Sequence, residues 1–260
     1  MTETIRIDDP AGPIATVILN RPEKLNALTR PMWRRLGEAF EGLSARDGVR
    51  CIILRGAGTR AFAPGNDISE FQTERSNVDQ ARDYGNDMRR TIEAIDGCRH
   101  PIVAQIHGIC VGGGLEIAGL ADIRICGESS RFGVPINKLG LVMAYAEIRS
   151  LIALAGEATA LEILLEGRVF DAKEAKEKGL VTRVVADDQV EAEARATAER
   201  IADGAPLVAR WHKKFARRLR DPKPLTAQEY EEGFACFGTE DFRIGYQAFL
   251  EKAKPDFQGR

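Results

Sequence analysis

The chain has 260 residues, 44% of them hydrophobic, so it can bury one substantial core and is long enough for one large domain or two small ones. With 37 Lys and Arg against 39 Asp and Glu, the net charge of −2 provides no bulk attraction for nucleic acid or an anionic membrane surface, and neither is expected as a partner. Cys51, Cys98, Cys110, Cys126 and Cys236 form no CxxC pair and lie mostly in apolar runs, which suits buried thiols in a reducing, cytoplasmic setting.

In chain order, the opening MTETIRIDDP has neither an apolar signal core nor an Arg/Ser-rich presequence, and no later segment approaches the ~20 apolar residues of a membrane span. Short β-branched runs then alternate with longer amphipathic ones: ATVILN, residues 31–46, CIILRG, 79–97, PIVAQIHG, 113–121 and DIRICG. Strand and helix in repeated alternation predict an α/β core, assigned to residues 1–205. From about Pro206 the strands stop and an all-helical region, 206–260, is expected. It is punctuated by DPKP and Gly238, and Thr226 with Glu229 forms a capping-box pattern. Apolar Leu207, Trp211 and Phe215 recur at four-residue spacing through the basic stretch WHKKFARRLR, so the basic residues are expected on a solvated helix face.

Two stretches carry chemistry. Gly112, Gly113 and Gly114 stand between the strand-like PIVAQIHGICV and the helix-like LEIAGLA. Such glycines either leave backbone N–H groups free at a helix start to face developing negative charge, or let the helix pack closely on its strand. GxGxxG spacing is absent and no phosphate-anchoring Lys follows, which disfavours NAD and ATP. In AFAPGNDISEF, residues 61–71, Pro64 and Gly65 break regular structure and leave the Asn66 N–H at a loop corner, while Asn66 and Asp67 also read as an ordinary turn and cap. His100, His107 and His212 have no spacing that suggests a metal site.

Together with NRPEKLNALT at 20–29 and GRVFDAKEAKEKGLVTRVV at 167–185, these stretches resemble the enoyl-CoA hydratase/isomerase, or crotonase, superfamily over nearly the whole chain. The resemblance implies a spiral of β-β-α turns, a C-terminal helical region that packs trimers, often paired into hexamers, and acyl-CoA thioester substrates. Coenzyme A would then be part of the substrate and no separate cofactor is expected. The family's two oxyanion-hole N–H groups fall on Asn66 and Gly113. Residues of the loop around Ala63, Pro64, Gly65, Asp67 and Ile68, with Gly112, would contact substrate, and Lys24 and Phe257 are further candidate contacts.

Family hydratases use two glutamates, one at the spacing of Glu116 and one directly after the proline of the segment that here reads FGVPINKLG. That second position holds Ile136, expected to line the acyl pocket. The Pro-Gly-x-Gly-Gly turn that normally follows is replaced by Met143, Ala144, Tyr145, Ala146 and Glu147, which makes Glu147 a candidate substitute acid, Ala144 a candidate contact, and a helix-start surface residue the bland reading of Glu147. The resemblance implies first a hydratase or isomerase in which Glu116 alone shuttles protons while the two N–H groups hold the enolate; the alternatives are a decarboxylase or C–C lyase that loses a substrate carboxylate beside apolar Ile136, and a catalytically quiet acyl-CoA-binding member. Phe234, Phe237, Phe242 and Phe249 are expected to pack against neighbouring subunits.

Overall fold

A computed structural model describes residues 3–8 and 12–260. Among the described residues there are ten strands and eleven α-helices. The strands are β1 (Ile5–Asp8), β2 (Ile14–Leu19), β3 (Cys51–Gly56), β4 (Ala61–Ala63), β5 (Ile102–Ile106), β6 (Ile109–Val111), β7 (Ile123–Gly127), β8 (Arg131–Gly133), β9 (Val169–Asp171) and β10 (Arg183–Val185). The helices are α1 (Arg30–Ser44), α2 (Phe71–Glu74), α3 (Val78–Gly97), α4 (Gly113–Gly119), α5 (Tyr145–Ala155), α6 (Glu157–Glu166), α7 (Ala172–Glu177), α8 (Val190–Ala202), α9 (Pro206–Arg218), α10 (Ala227–Glu232) and α11 (Glu240–Glu251).

From β3 to β8, consecutive strands enter different sheets. A six-stranded sheet runs β1-β2-β3-β5-β7-β10 and a four-stranded sheet runs β4-β6-β8-β9. Within the larger sheet only the β1–β2 pair is antiparallel; in the smaller one only β8–β9 is. Strands β3, β5 and β7 thus each turn a corner into a short strand and return through helix, with α3 after β3–β4, α4 after β5–β6 and α5 after β7–β8. The corners are tight: at Gly108, φ +58°, a Cβ would lie 2.0 Å from the Arg60 carbonyl oxygen.

Both faces of the large sheet are covered, which is why its strands read as nearly continuous apolar runs. Ile52 and Leu54 of β3 face the main core with Trp33, Leu36 and Phe40 of α1. Cys51 and Ile53, pointing the other way, pack with Val103 and Ile125 against Ala194, Ala198 and Ala202 of α8. The four cysteines in the strands and at the end of α3 are free and buried, and burial pushes the Cys51 and Cys126 thiols up to about 12, which keeps them inert.

The Thr226–Glu229 capping box is present: the Glu229 N–H donates to Thr226 Oγ1 at 3.2 Å and the Thr226 N–H to Glu229 Oε2 at 2.7 Å. The basic stretch departs from expectation. Lys213 is buried, ion-paired with Asp122 at 2.6 Å and donating to the His100 carbonyl at 2.5 Å, while Arg217 reaches Asp96 at 3.3 Å. Part of the basic face therefore clamps α9 to the body, because acids at the ends of α3 and β7 wait there to pair it. Phe234, Phe237 and Phe249 are exposed on this chain, Phe249 at 83%. Among the described residues, no helix is long and apolar enough to cross a membrane.

Candidate functional site

The parallel pairing of β4 with β6 brings the ends of both strands, and the two loops that follow, to one edge of the small sheet. Backbone pairing then shapes the first loop. The Leu28 N–H donates to the Gly65 carbonyl at 2.9 Å and the Asp67 N–H to the Leu28 carbonyl at 2.7 Å. These bonds flank Asn66 and leave its own N–H outside the pairing. The Asn66 side chain turns back into the protein, where Oδ1 accepts from Trp33 Nε1 at 2.7 Å. Asp67 is a cap: its carboxylate accepts from the Ser69 hydroxyl at 2.7 Å, from Arg21 Nη1 at 2.6 Å and from the Ser69 N–H at 3.0 Å, which together hold its pKa down to about 2.

The three glycines divide the work that the sequence left undecided. At Gly114 a Cβ would stand 2.1 Å from the Ala63 carbonyl oxygen, so this glycine lets α4 lie on the end of β4. Gly112 has φ +54° and donates its N–H to Gly133 at 2.8 Å. Gly113 is the first residue of α4, where an N–H has no intrahelical acceptor, and its nitrogen is 3.3 Å from where a Cβ on Gly65 would sit. The two loops therefore touch, with the N–H groups of Asn66 and Gly113 both outside the secondary-structure ladders.

A pocket of about 110 Å³ is lined by both loops and by Glu116, Glu147, Ile136 and Arg75. Glu116, on the first turn of α4, is buried, and its Oε1 has no hydrogen-bond partner. Burial pushes its pKa well above the carboxylate range, the negative charge of Glu147 pushes it further, and Arg75 partly offsets both. Glu147 is half-buried on the first turn of α5, where Oε2 accepts from the Ala144 N–H at 3.1 Å. Burial raises its pKa too, against the lowering effects of that N–H and of Arg75. Ile136 lies on a 3-10 turn, Pro135–Leu139, and packs partly against the core.

Several expected contacts lie elsewhere. Pro64, Gly65, Ile68 and Gly112 line the pocket, but Ala63, Asp67 and Ala144 do not: Ala63 is buried in β4, Asp67 is turned to Arg21, and Ala144 only caps α5. Lys24 is exposed at the end of the turn Pro22–Lys24, and the ring of Phe257 packs against Gly245 of α11, so neither reaches the pocket of this chain. Arg75 was missed because a single basic residue in FQTERSN has no motif around it. A wider cleft of about 670 Å³ beside α9 includes Lys213 and Asp122, which are already paired, and neither free N–H.

Comparison with known proteins places this geometry. The sequence profile described as Enoyl-CoA hydratase/isomerase matches residues 10–260. A Rhizobium meliloti protein described as "Probable enoyl-CoA hydratase" is 34% identical over 260 residues, 99% of either chain. The "Short-chain-enoyl-CoA hydratase" of Clostridium acetobutylicum is 32% identical over 245 residues, 94% of this chain and 93% of that one. Among solved structures, an enoyl-CoA hydratase/carnithine racemase from Magnetospirillum magneticum superposes with a TM-score of 0.97 at 52% identity, covering 100% of this chain and 97% of the other. An enoyl-CoA hydratase from Bacillus anthracis gives 0.91 at 30% identity, covering 99% and 100%.

Proposed function

The chain belongs to the enoyl-CoA hydratase/isomerase family and has its α/β crotonase fold, and from that premise we propose that it adds water to a short 2-enoyl-CoA, with Glu116 and Glu147 as the acid–base pair. The observation that carries the reading is two carboxyls with raised pKa in one pocket, beside two N–H groups that no ladder uses. Two like charges so close in a buried site do not both ionise, so the pair holds one proton between them. The carboxylate takes a proton from water as its oxygen bonds to the β-carbon, and the carboxylic acid delivers the other proton to the α-carbon. In the transition state the thioester oxygen becomes enolate-like and accepts from the Asn66 and Gly113 N–H groups. Each such preorganised donor is worth about 2.7–4 kcal/mol in comparable sites.

Glu147 thus supplies from α5 the carboxyl that Ile136 does not, and Ile136 is left to shape the acyl pocket. Hydration of crotonyl-CoA tests this. Glu147→Gln and Glu116→Gln are each expected to lower kcat by about 10²–10⁴-fold. Full activity in Glu147→Gln would overturn the assignment of the second acid. An isomerase using the same pair would move the double bond instead, and product analysis for a 3-hydroxyacyl thioester separates the two. Arg75 argues against the decarboxylase alternative, because a cation in the pocket stabilises the substrate carboxylate that desolvation would have to destabilise. The exposed Phe234, Phe237 and Phe249 support assembly into a homotrimer or hexamer that covers them, and sedimentation as a monomer at micromolar concentration would contradict it.

A further inference from the structure

We propose that Arg75 is a specificity-determining residue that selects acyl groups bearing a second carboxylate, making the substrate a short enoyl-CoA with an anionic end. This rests on the reading of the pocket as an acyl-CoA site. Arg75 lines the pocket and its guanidinium lies over two aromatic rings, 4.7 Å from the Phe71 centroid and 4.8 Å from that of Tyr84. Contact with the ring faces holds the guanidinium without using any of its five N–H donors.

No carboxylate within the described residues pairs with it, although acids are abundant nearby. Glu74, the preceding residue, is bound to Arg30 at 3.1 Å. Glu70 accepts from the Arg30 N–H at 2.9 Å and from the Tyr84 hydroxyl at 2.9 Å. Asp87 holds Arg30 at 2.6 Å and Arg34 at 2.8 Å. Neighbouring acids are thus committed to other cations or hydroxyls, while Arg75 lines the pocket with no acid paired to it among the described residues. Glu116 and Glu147 share the pocket, yet neither forms an ion pair with the guanidinium, Glu147 accepting instead from the Ala144 N–H, so the fork has no bound counter-charge. A substrate carboxylate matches the fork's geometry and supplies that charge. At about 110 Å³ the pocket is below the ~300–1,000 Å³ of sites for drug-sized ligands, which fits an acyl chain of a few carbons rather than a long one.

The test compares glutaconyl-CoA, which ends in a carboxylate, with crotonyl-CoA, which ends in a methyl group, on the full-length protein and on Arg75→Met and Arg75→Lys. The quantity read is the ratio of kcat/KM for the two thioesters. The parent is expected to favour glutaconyl-CoA at least about tenfold, Arg75→Met to lower the ratio by about 100-fold, and Arg75→Lys to restore part of it. An unchanged ratio in Arg75→Met, or a parent that prefers crotonyl-CoA, overturns the proposal. Losses that are equal for both thioesters do so as well, and show that Arg75 holds the phosphates of coenzyme A or tunes Glu147. Calorimetric binding of glutaryl-CoA and butyryl-CoA reads the same preference without turnover. Preferential glutaryl-CoA binding with no hydration would sink the hydratase reading and keep the role of Arg75, whereas failure to bind either thioester would sink both.

Discussion

Buried charge is handled in opposite ways at two places in this molecule. Under α9, Lys213 is surrounded by partners: Asp122 at 2.6 Å, the His100 carbonyl at 2.5 Å, and Asp122 is itself held by the Ile102 N–H at 2.7 Å. In the pocket, Glu116 has a buried oxygen with no partner and a second carboxyl close by. The first arrangement answers desolvation with attraction and holds an element in place. The second leaves desolvation unanswered, and a carboxyl whose pKa burial raises is the kind of group that acid–base chemistry employs.

The largest expected effect breaks the pocket side of this contrast. Glu116→Gln removes the titrating group at nearly constant shape and should lower kcat on crotonyl-CoA by about 10²–10⁴-fold, measured by steady-state kinetics on the folded variant. Gly113→Pro deletes one backbone donor at the first position of α4, where proline is tolerated, and a fall of about 10²–10³-fold in kcat is expected with oligomer mass unchanged. Undiminished turnover would remove Gly113 from the oxyanion hole.

On the clamp side, Lys213→Met should destabilise the protein by about 3–5 kcal/mol in denaturant unfolding, since it leaves Asp122 short of its nearest cation in a partly buried place. A loss below about 1 kcal/mol would mean that the pair is a surface ornament and that the contrast fails.

The smallest effect is the sharpest in sign. Glu116 has a folded-state pKa above its ordinary value near 4.5, so above that pH the folded protein binds more protons than the unfolded chain. Stability from this group is complete below about pH 4.5 and falls as pH rises through the raised pKa. Glu116→Gln should therefore match the parent in Tm at pH 4.5 and exceed it at pH 8, the gap widening as pH rises toward the raised pKa. A parent more stable than the variant at pH 8 would show that the carboxylate has a partner after all.

How far the sequence reaches is clear from particular residues. The helix expected at 79–97 spans Val78–Gly97 and the one at 31–46 spans Arg30–Ser44, because apolar spacing along a single long helix is a local property. Strands β4, β6 and β8 have three residues each, too short for a periodic signal, so the second sheet and the β-β-α repetition were legible only through family resemblance. Asn66, Gly113, Glu116 and Ile136 could be named from their motifs, and all four line one pocket. Glu147 could be named only as one of two readings. Helix-start glutamates look alike in sequence whether they face water or a cavity, and here the packing of α5 against α4 decides between them.

What the sequence determined by itself is what neighbouring residues decide among themselves: alternation of elements, the Thr226 cap, the glycine loops that permit free N–H groups. The tertiary structure alone decided which charges meet. It drew Lys213 inward to Asp122, ninety-odd residues earlier in the chain, and left Arg75 facing the pocket while Glu74 beside it went to Arg30. A charge has no preferred partner until the fold sets distance and water content, and these two quantities fix its energy.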